Sequence, residues 1–194
     1  MMVVFYTSNA GKVEHLRRLL SACWIDVVHL QPRSPPPESA VACQNALAKA
    51  IAGSRDTDSL VLASDEEIYI PALPESEQPN ARVRRVAGAD ASDEDMVRHY
   101  ERLLQPLPDG RAVITTHFSA AQRGTQLGSM SAATECILRL PPLPEWPRGR
   151  PLAAFHFVAD MNEYYLRLTP GQLAVVERRL SAELCEFLAQ IGSS

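Results

Sequence analysis

The stretch from Met2 to Cys23 constrains the fold more than any other. Residues 2–6 (MVVFY) are an apolar run of strand length that stops at TSNAGK, residues 7–12. From Gly11 to Cys23, Val13, Leu16, Leu19, Leu20 and Cys23 recur at helical spacing and predict a helix with one buried face. A buried strand, a short polar turn and an amphipathic helix form a βα unit, which needs a sheet with helices packed on it. The turn also brings backbone N–H groups and a helix N-terminus to one point, an arrangement that attracts anions and phosphate above all. Thr7 and Ser8 offer hydroxyls, Asn9 an amide, Gly11 close backbone approach and Lys12 a mobile positive charge. The spacing is not that of a GxxxxGK[ST] loop. On local chemistry alone, an ordinary capped βα turn explains the segment equally well.

The rest of the chain repeats the theme. Residues 24–30 (WIDVVHL) predict a second strand, and the prolines of PRSPPP end it in a loop. An alanine-rich helix is expected from Glu38 to Gly53, with Gly53 as its stop. Residues 59–63 (SLVLA) read as a buried strand running into SDEE, and IYI at 68–70 extends the chain again. Ser92 and Asp95 mark the start of a helix over 92–104. Residues 111–121 and 127–140 are strand-like runs joined by RGTQ, the pattern of a hairpin. AAFHFVA at 153–159 is a strand or its approach. Thr169 and Pro170 open a last helix striped by Leu173, Val176, Leu180, Leu184 and Leu188. The order β-α-β-α-β, a hairpin, then βα predicts an α/β fold around a mixed sheet. It occupies residues 1–194 as a single domain, with the hairpin region as a candidate second lobe.

Composition removes several function classes. With 19 basic and 23 acidic residues the net charge is −4, which argues against a general nucleic-acid or membrane-surface binder. No uncharged stretch approaches the ~20 apolar residues of a membrane span, and MMVVFY lacks the basic region and length of a signal peptide. Cys23, Cys43, Cys136 and Cys185 are far apart with no CxxC pair. They read as buried or free thiols in a reducing cytoplasm, and their spacing does not suit zinc. Lysine is the outlier: only Lys12 and Lys49 occur, against seventeen arginines. In a chain biased so strongly to arginine, a retained lysine marks a place where the compact ammonium is required, or has merely survived by chance.

The motifs, taken in order, resemble those of one family. VFYTSNAGKVEHLRRLL looks like the opening of the inosine triphosphate pyrophosphatases, also called non-canonical purine NTP pyrophosphatases. Thr7, Asn9 and Lys12 match that family's [TS]-x-N-x-x-K. NALAKA at 45–50 matches its N-A-x-x-K-A helix and includes Lys49. VLASDEEIYI at 61–70 resembles V-x-A-D-D-S-G-L, and VRRVAG at 83–88 resembles S-A-R-Y-A-G, placing Arg85 on the family arginine. PRG at 147–149 and TPGQ…RRL at 169–180 fall where the family has P-R-G and S-P-E-E-K…S-H-R-G. The Maf-like pyrophosphatases share a related fold but open differently.

The resemblance implies an elongated mixed sheet flanked by helices, with two lobes and a groove between them. It implies a homodimer and a magnesium-dependent hydrolysis of a nucleoside triphosphate to monophosphate and pyrophosphate. Lys12, Thr7, Ser8, Asn9 and Lys49 then hold the phosphates. Asp65 serves as metal ligand or general base, and Glu38 as a second metal ligand. Locally, Glu38 reads equally as an acid at a helix start, and SDEE as a solvated turn.

The segment also departs from the family pattern. Ser64 replaces the first Asp, and Glu66–Glu67 replace Ser–Gly, so Glu66 or Glu67 becomes a stand-in carboxylate. Where the family has G-F-G-Y-D-P, this chain has LAAFHF. Phe155 or Phe157 is left to stack a base, with His156 in place of the family's Asp, or else the segment is a core strand with one satisfied histidine. Leu173 replaces the family's last lysine. Arg178 and Arg179 follow Glu177 in place of S-H-R, as base or phosphate donors or as an exposed pair. The expected function is a pyrophosphatase with altered base recognition. The alternatives are a catalytically degenerate nucleotide-binding relative and, more remotely, a ligand for proline-recognising domains through PRSPPPE and PPLPEWPRGRP.

Overall fold

The computed structural model describes residues 1–83, 88 and 91–192. Its strands are β1 (Met2–Tyr6), β2 (Asp26–Leu30), β3 (Val61–Tyr69), β4 (Arg111–Gln122), β5 (Thr125–Leu138), β6 (His156–Val158) and β7 (Glu163–Tyr164). Its helices are α1 (Ala10–Leu20), α2 (Ala42–Gly53), α3 (Asp93–Leu104), α4 (Pro170–Val176) and α5 (Arg178–Gly192). The strands form one sheet in the order β2-β1-β3-β4-β5-β6-β7. β1 runs parallel to β2 and β3, while β6 runs antiparallel to β5 and β7, so the sheet is mixed as expected. The chain divides into two compact units. One holds residues 1–66, 116–132 and 176–194, and the other residues 67–115 and 133–175.

In the first unit, the alternation of side chains along a strand sets what each face buries. Val3 and Phe5 of β1 and Leu62 of β3 pack against Val13, Leu16, Leu19 and Leu20 of α1 and Leu184 and Leu188 of α5. Val4, Tyr6, Val61 and Ala63 face the other way and pack with Ala50 of α2. Ala42, Ala46 and Ala50 are fully buried at successive turns, so α2 sits close on the sheet. Its end comes so near β1 that a Cβ on Gly53 would lie 2.6 Å from the Tyr6 ring. α2 stops at Gly53 as expected, and contact with Tyr6 is what demands glycine there. Arg123 (φ 50°) and Gly124 (φ 79°) make the two-residue turn between β4 and β5, the backbone that hairpin twist favours.

In the second unit, Tyr100, Leu104, Met96 and Val97 of α3 pack with Ile68, Ile70, Leu138 and Phe155. The start of α3 is a capping box: Ser92 Oγ accepts from the Asp95 N–H, and Asp95 accepts from the Ser92 N–H. These bonds, with Arg98, hold the Asp95 carboxyl down to about 2.

Four sequence expectations change. α2 begins at Ala42 rather than Glu38, leaving Glu38 in the preceding loop. SDEE is not a turn after a strand but the middle of one continuous strand, β3. The last helix is two, broken at Glu177. There the Glu177 carboxylate, only 8% exposed, turns in to accept from Arg18 Nε (2.7 Å) and Nη2 (2.8 Å), and lies 3.0 Å from His15 Nε2. Finally, Cys23 and Cys185 are bonded to each other rather than free. The packing of α5 on α1 brings their Cα atoms to 6.1 Å, within disulfide reach. The free-thiol argument for a reducing compartment therefore fails for this pair. Cys43 and Cys136 are free, and burial pushes the Cys136 thiol up to about 12.

Candidate active site

The topology of the first unit places the site. From β1 the chain crosses by α1 to β2 on one side, and from β2 it crosses by α2 to β3 on the other. The carboxyl ends of β1 and β3 thus flank a reversal of strand order, where α/β sheets bind ligands. Thr7, Ser8 and Asn9 leave β1 at that point. Asn9 is the N-cap of α1, and its Oδ1 accepts from the Lys12 N–H (3.3 Å). The Asn9 N–H in turn donates to Thr7 Oγ1 (3.1 Å). Thr7 is itself held by an N–H bond to the Leu30 carbonyl, and its own carbonyl accepts from His29 Nε2 (2.8 Å). The loop is therefore shaped by its own side chains, with Ser8 exposed at its tip.

Because SDEE lies within a strand, its acids alternate. Glu66 falls on the α1 face, where its Oε2 is 3.6 Å from Lys12 Nζ. Asp65 falls on the α2 face, where both of its oxygens are taken: Oδ1 by Lys49 Nζ (3.0 Å) and Oδ2 by Asn45 Nδ2 (2.8 Å). Lys49 Nζ also holds Glu38 Oε1 at 2.8 Å. Burial pulls the Lys49 ammonium down, but Asp65 and then Glu38 outweigh it, and the net shift is upward. Lys49 is charged throughout the neutral range.

Two carboxylates therefore converge on one cationic atom, in the same unit as the capped start of α1. Among the described residues, no three His, Cys, Asp or Glu side chains gather into a metal cage. A magnesium ion is commonly held by one or two carboxylates together with substrate phosphates. Glu38 and Asp65, both hard oxygen donors converging on the position of Lys49 Nζ, fit that requirement.

The structure thus brings Thr7, Asn9, Lys12, Glu38, Lys49, Asp65 and Glu66 into one unit around the carboxyl end of β1 and the middle of β3. The remaining sequence-chosen residues fare differently. Arg85 lies outside the described residues. Phe155 is 0% exposed in the core of the second unit, so it has no ring face for a base, which corrects that expectation. Phe155 directly follows the 3-10 turn at Pro151–Ala154 and packs into the core with Tyr100, Leu104 and Leu138. His156 is half-buried and stacks on Tyr165, with centroids 4.8 Å apart and planes 1° from parallel. Arg178 is exposed on α5, and Arg179 Nε lies 3.4 Å from Glu183 on the next turn, the geometry of a solvated helix pair. The sequence places Asn45 at the head of the NALAKA match but gives it no role in the site. The signal was its i, i+4 spacing to Lys49, which puts both on one side of α2.

Comparison with known proteins agrees with the motifs. The profile of the Ham1 family matches residues 3–136. A dITP/XTP pyrophosphatase of Halorhodospira halophila is 33% identical over 112 residues, 56% of this chain and 54% of that protein. One from Yersinia pestis is 32% identical over 110 residues, 55% of each. The chain spans about half the length of these curated relatives. In fold, it resembles a HAM1 protein from Coxiella burnetii with a TM-score of 0.70 at 19% identity, covering 96% of this chain and 99% of that one. The Ham1 protein of Staphylococcus aureus gives 0.70 at 18%, covering 98% and 99%. The chain therefore belongs to the Ham1 family, that of the inosine triphosphate pyrophosphatases, to which TSNAGK and NALAKA point.

Proposed function

We propose that this protein hydrolyses a nucleoside triphosphate to its monophosphate and pyrophosphate. The observation that carries the reading is the convergence of Glu38 and Asp65 on Lys49, in the same unit as the capped start of α1. The pyrophosphatase names of the curated relatives support it. In this reading the Thr7–Asn9 loop and the α1 N-terminus receive phosphate oxygens. Lys12 and Lys49 supply the compensating charge, Lys49 exchanging its carboxylate partners for phosphate. Glu38 and Asp65 would hold magnesium, which neutralises phosphate charge and polarises the phosphoryl oxygens when bound. Asp65 orients a water for attack on the α-phosphorus. A new P–O bond forms, the α–β anhydride bond breaks, pyrophosphate departs, and the water's proton passes to the Asp65 carboxylate.

The base is read differently from the family pattern. Buried Phe155, and Arg179 paired to Glu183, support that part of the reading and also favour the alternative of a nucleotide-binding relative without turnover. A homodimer is proposed from the family alone.

The test is pyrophosphate release from ITP, XTP and dITP with magnesium. Wild type is expected to release pyrophosphate, with at least about a 100-fold loss in Asp65→Ala. Equal rates in the two proteins would overturn the hydrolase reading. Ligand-induced stabilisation without release would establish the non-catalytic one.

A further inference from the structure

The amide of Asn45 makes more bonds than a helix residue needs. Asn45 is 2% exposed, and its polar side-chain atoms are all engaged. Its Oδ1 accepts from the Ser39 N–H (2.7 Å), and its Nδ2 donates to the Ser39 carbonyl (3.2 Å). The same Nδ2 donates to Asp65 Oδ2 (2.8 Å). One side chain therefore ties together three pieces of chain: the loop that carries Glu38, the helix that carries Lys49, and the strand that carries Asp65. Asn45 and Lys49, one turn apart on α2, take one oxygen each of the Asp65 carboxylate and so set the plane of the group. The two donors differ in kind. Lys49 is a cation shared with Glu38, and its bonds are exchangeable for phosphate. Asn45 is neutral, buried and locked to backbone, so its bond to Asp65 has no competitor.

We infer that Asn45 is the positioning residue of this site: it holds the Asp65 carboxylate in place when Lys49 lets go, and it keeps the Glu38 loop in register with it. The inference rests on the hydrolase reading for its kinetic consequence but not for its geometry. A misplaced reacting group costs up to about 100-fold in rate without a matching loss of binding.

Two variants separate positioning from plain structural support. Asn45→Asp keeps an acceptor for the Ser39 N–H but replaces the donor to Asp65 with an acceptor. Asn45→Ala removes both. Positioning predicts that kcat falls at least about tenfold in both variants while KM stays within about threefold, because the α1 phosphate loop is untouched. Structural support alone predicts that thermal stability falls in both variants and that KM rises beyond about threefold together with the fall in kcat, because each variant also loses the bond to the Ser39 carbonyl, and that result would overturn the proposal. Crystal structures of wild type and Asn45→Asp give a readout free of activity. Positioning predicts that the Asp65 carboxylate turns away from position 45, and an unmoved Asp65 still bonded to Lys49 would refute it. If wild type releases no pyrophosphate, the hydrolase reading fails and the crystallographic comparison alone decides the positioning role. If Asn45→Asp does not fold, a cycle of Asn45→Ala with Asp65→Asn decides. No further loss of kcat on the Asp65→Asn background supports the proposal, and independent, additive losses overturn it.

Discussion

Lys49 sits where two carboxylates need a cation, and its chemistry is testable by pH. Its ammonium is pulled down by burial and held up more strongly by Asp65 and Glu38. For a base whose folded pKa is raised, the stabilisation is fully present below the ordinary value of 10.5 and is lost as pH rises through the higher folded one. The melting temperature of wild type should therefore exceed that of Lys49→Met by a constant margin from pH 6 to about 9. That margin should narrow only above about pH 10.5. A gap that closes near pH 7 would contradict the arrangement. The count of two lysines already singled out Lys49, because an arginine-biased chain advertises the ammonium it keeps. Asn45 carried only its place at the head of NALAKA, with no composition signal. An asparagine in an alanine-rich helix looks like a solvated residue until the strand that carries Asp65 is laid beside it. Phe155 shows the opposite error: an aromatic near a base-reading motif packs into the core.

Among the elements, α1 and α5 and the residues flanking them are joined by three links. Glu177 takes Arg18 with both oxygens, Ser181 Oγ donates to the Leu19 carbonyl (2.6 Å), and Cys23 is bonded to Cys185. The disulfide closes a long stretch of chain, so it restrains the unfolded state strongly. Reduction, or Cys23→Ser, should cost about 2–4 kcal/mol, read as a fall in melting temperature that dithiothreitol produces in wild type but not in the variant. An unchanged melting temperature under reduction would show that the pair does not stabilise the protein. None of these three links is visible in the periodicity of the helices. The apolar stripe of the last helix ran unbroken through Glu177 in sequence, yet the buried pairing with Arg18 and His15 breaks it there. For β3 the reverse holds: four polar residues looked like the end of a strand, yet it runs on to Tyr69 with Asp65 and Glu66 paired on opposite faces.

For the whole molecule, the residues that fit phosphate and those that departed from the family's base-reading pattern lie in different parts of the chain. Thr7, Asn9, Lys12, Glu38, Lys49 and Asp65 belong to the first unit, while Phe155 and His156 belong to the second. With Phe155 buried and His156 stacked on Tyr165, a panel of NTPs and dNTPs should show pyrophosphate release differing less than about tenfold in kcat/KM between bases. A preference above about 100-fold for one base would show that other side chains read the base, since a well-made polar site discriminates by that much or more. The sequence by itself determined the α/β class, the βα unit at the start, the capped helix α3 and the family, because these depend on local periodicity, capping and motif order. Tertiary structure alone decided that Asp65 and Glu66 face opposite helices, that Asn45 grips Asp65, that Phe155 is core and that Cys23 meets Cys185. Each of those depends on which distant segments are brought within a few ångströms of one another, and no local pattern encodes that distance.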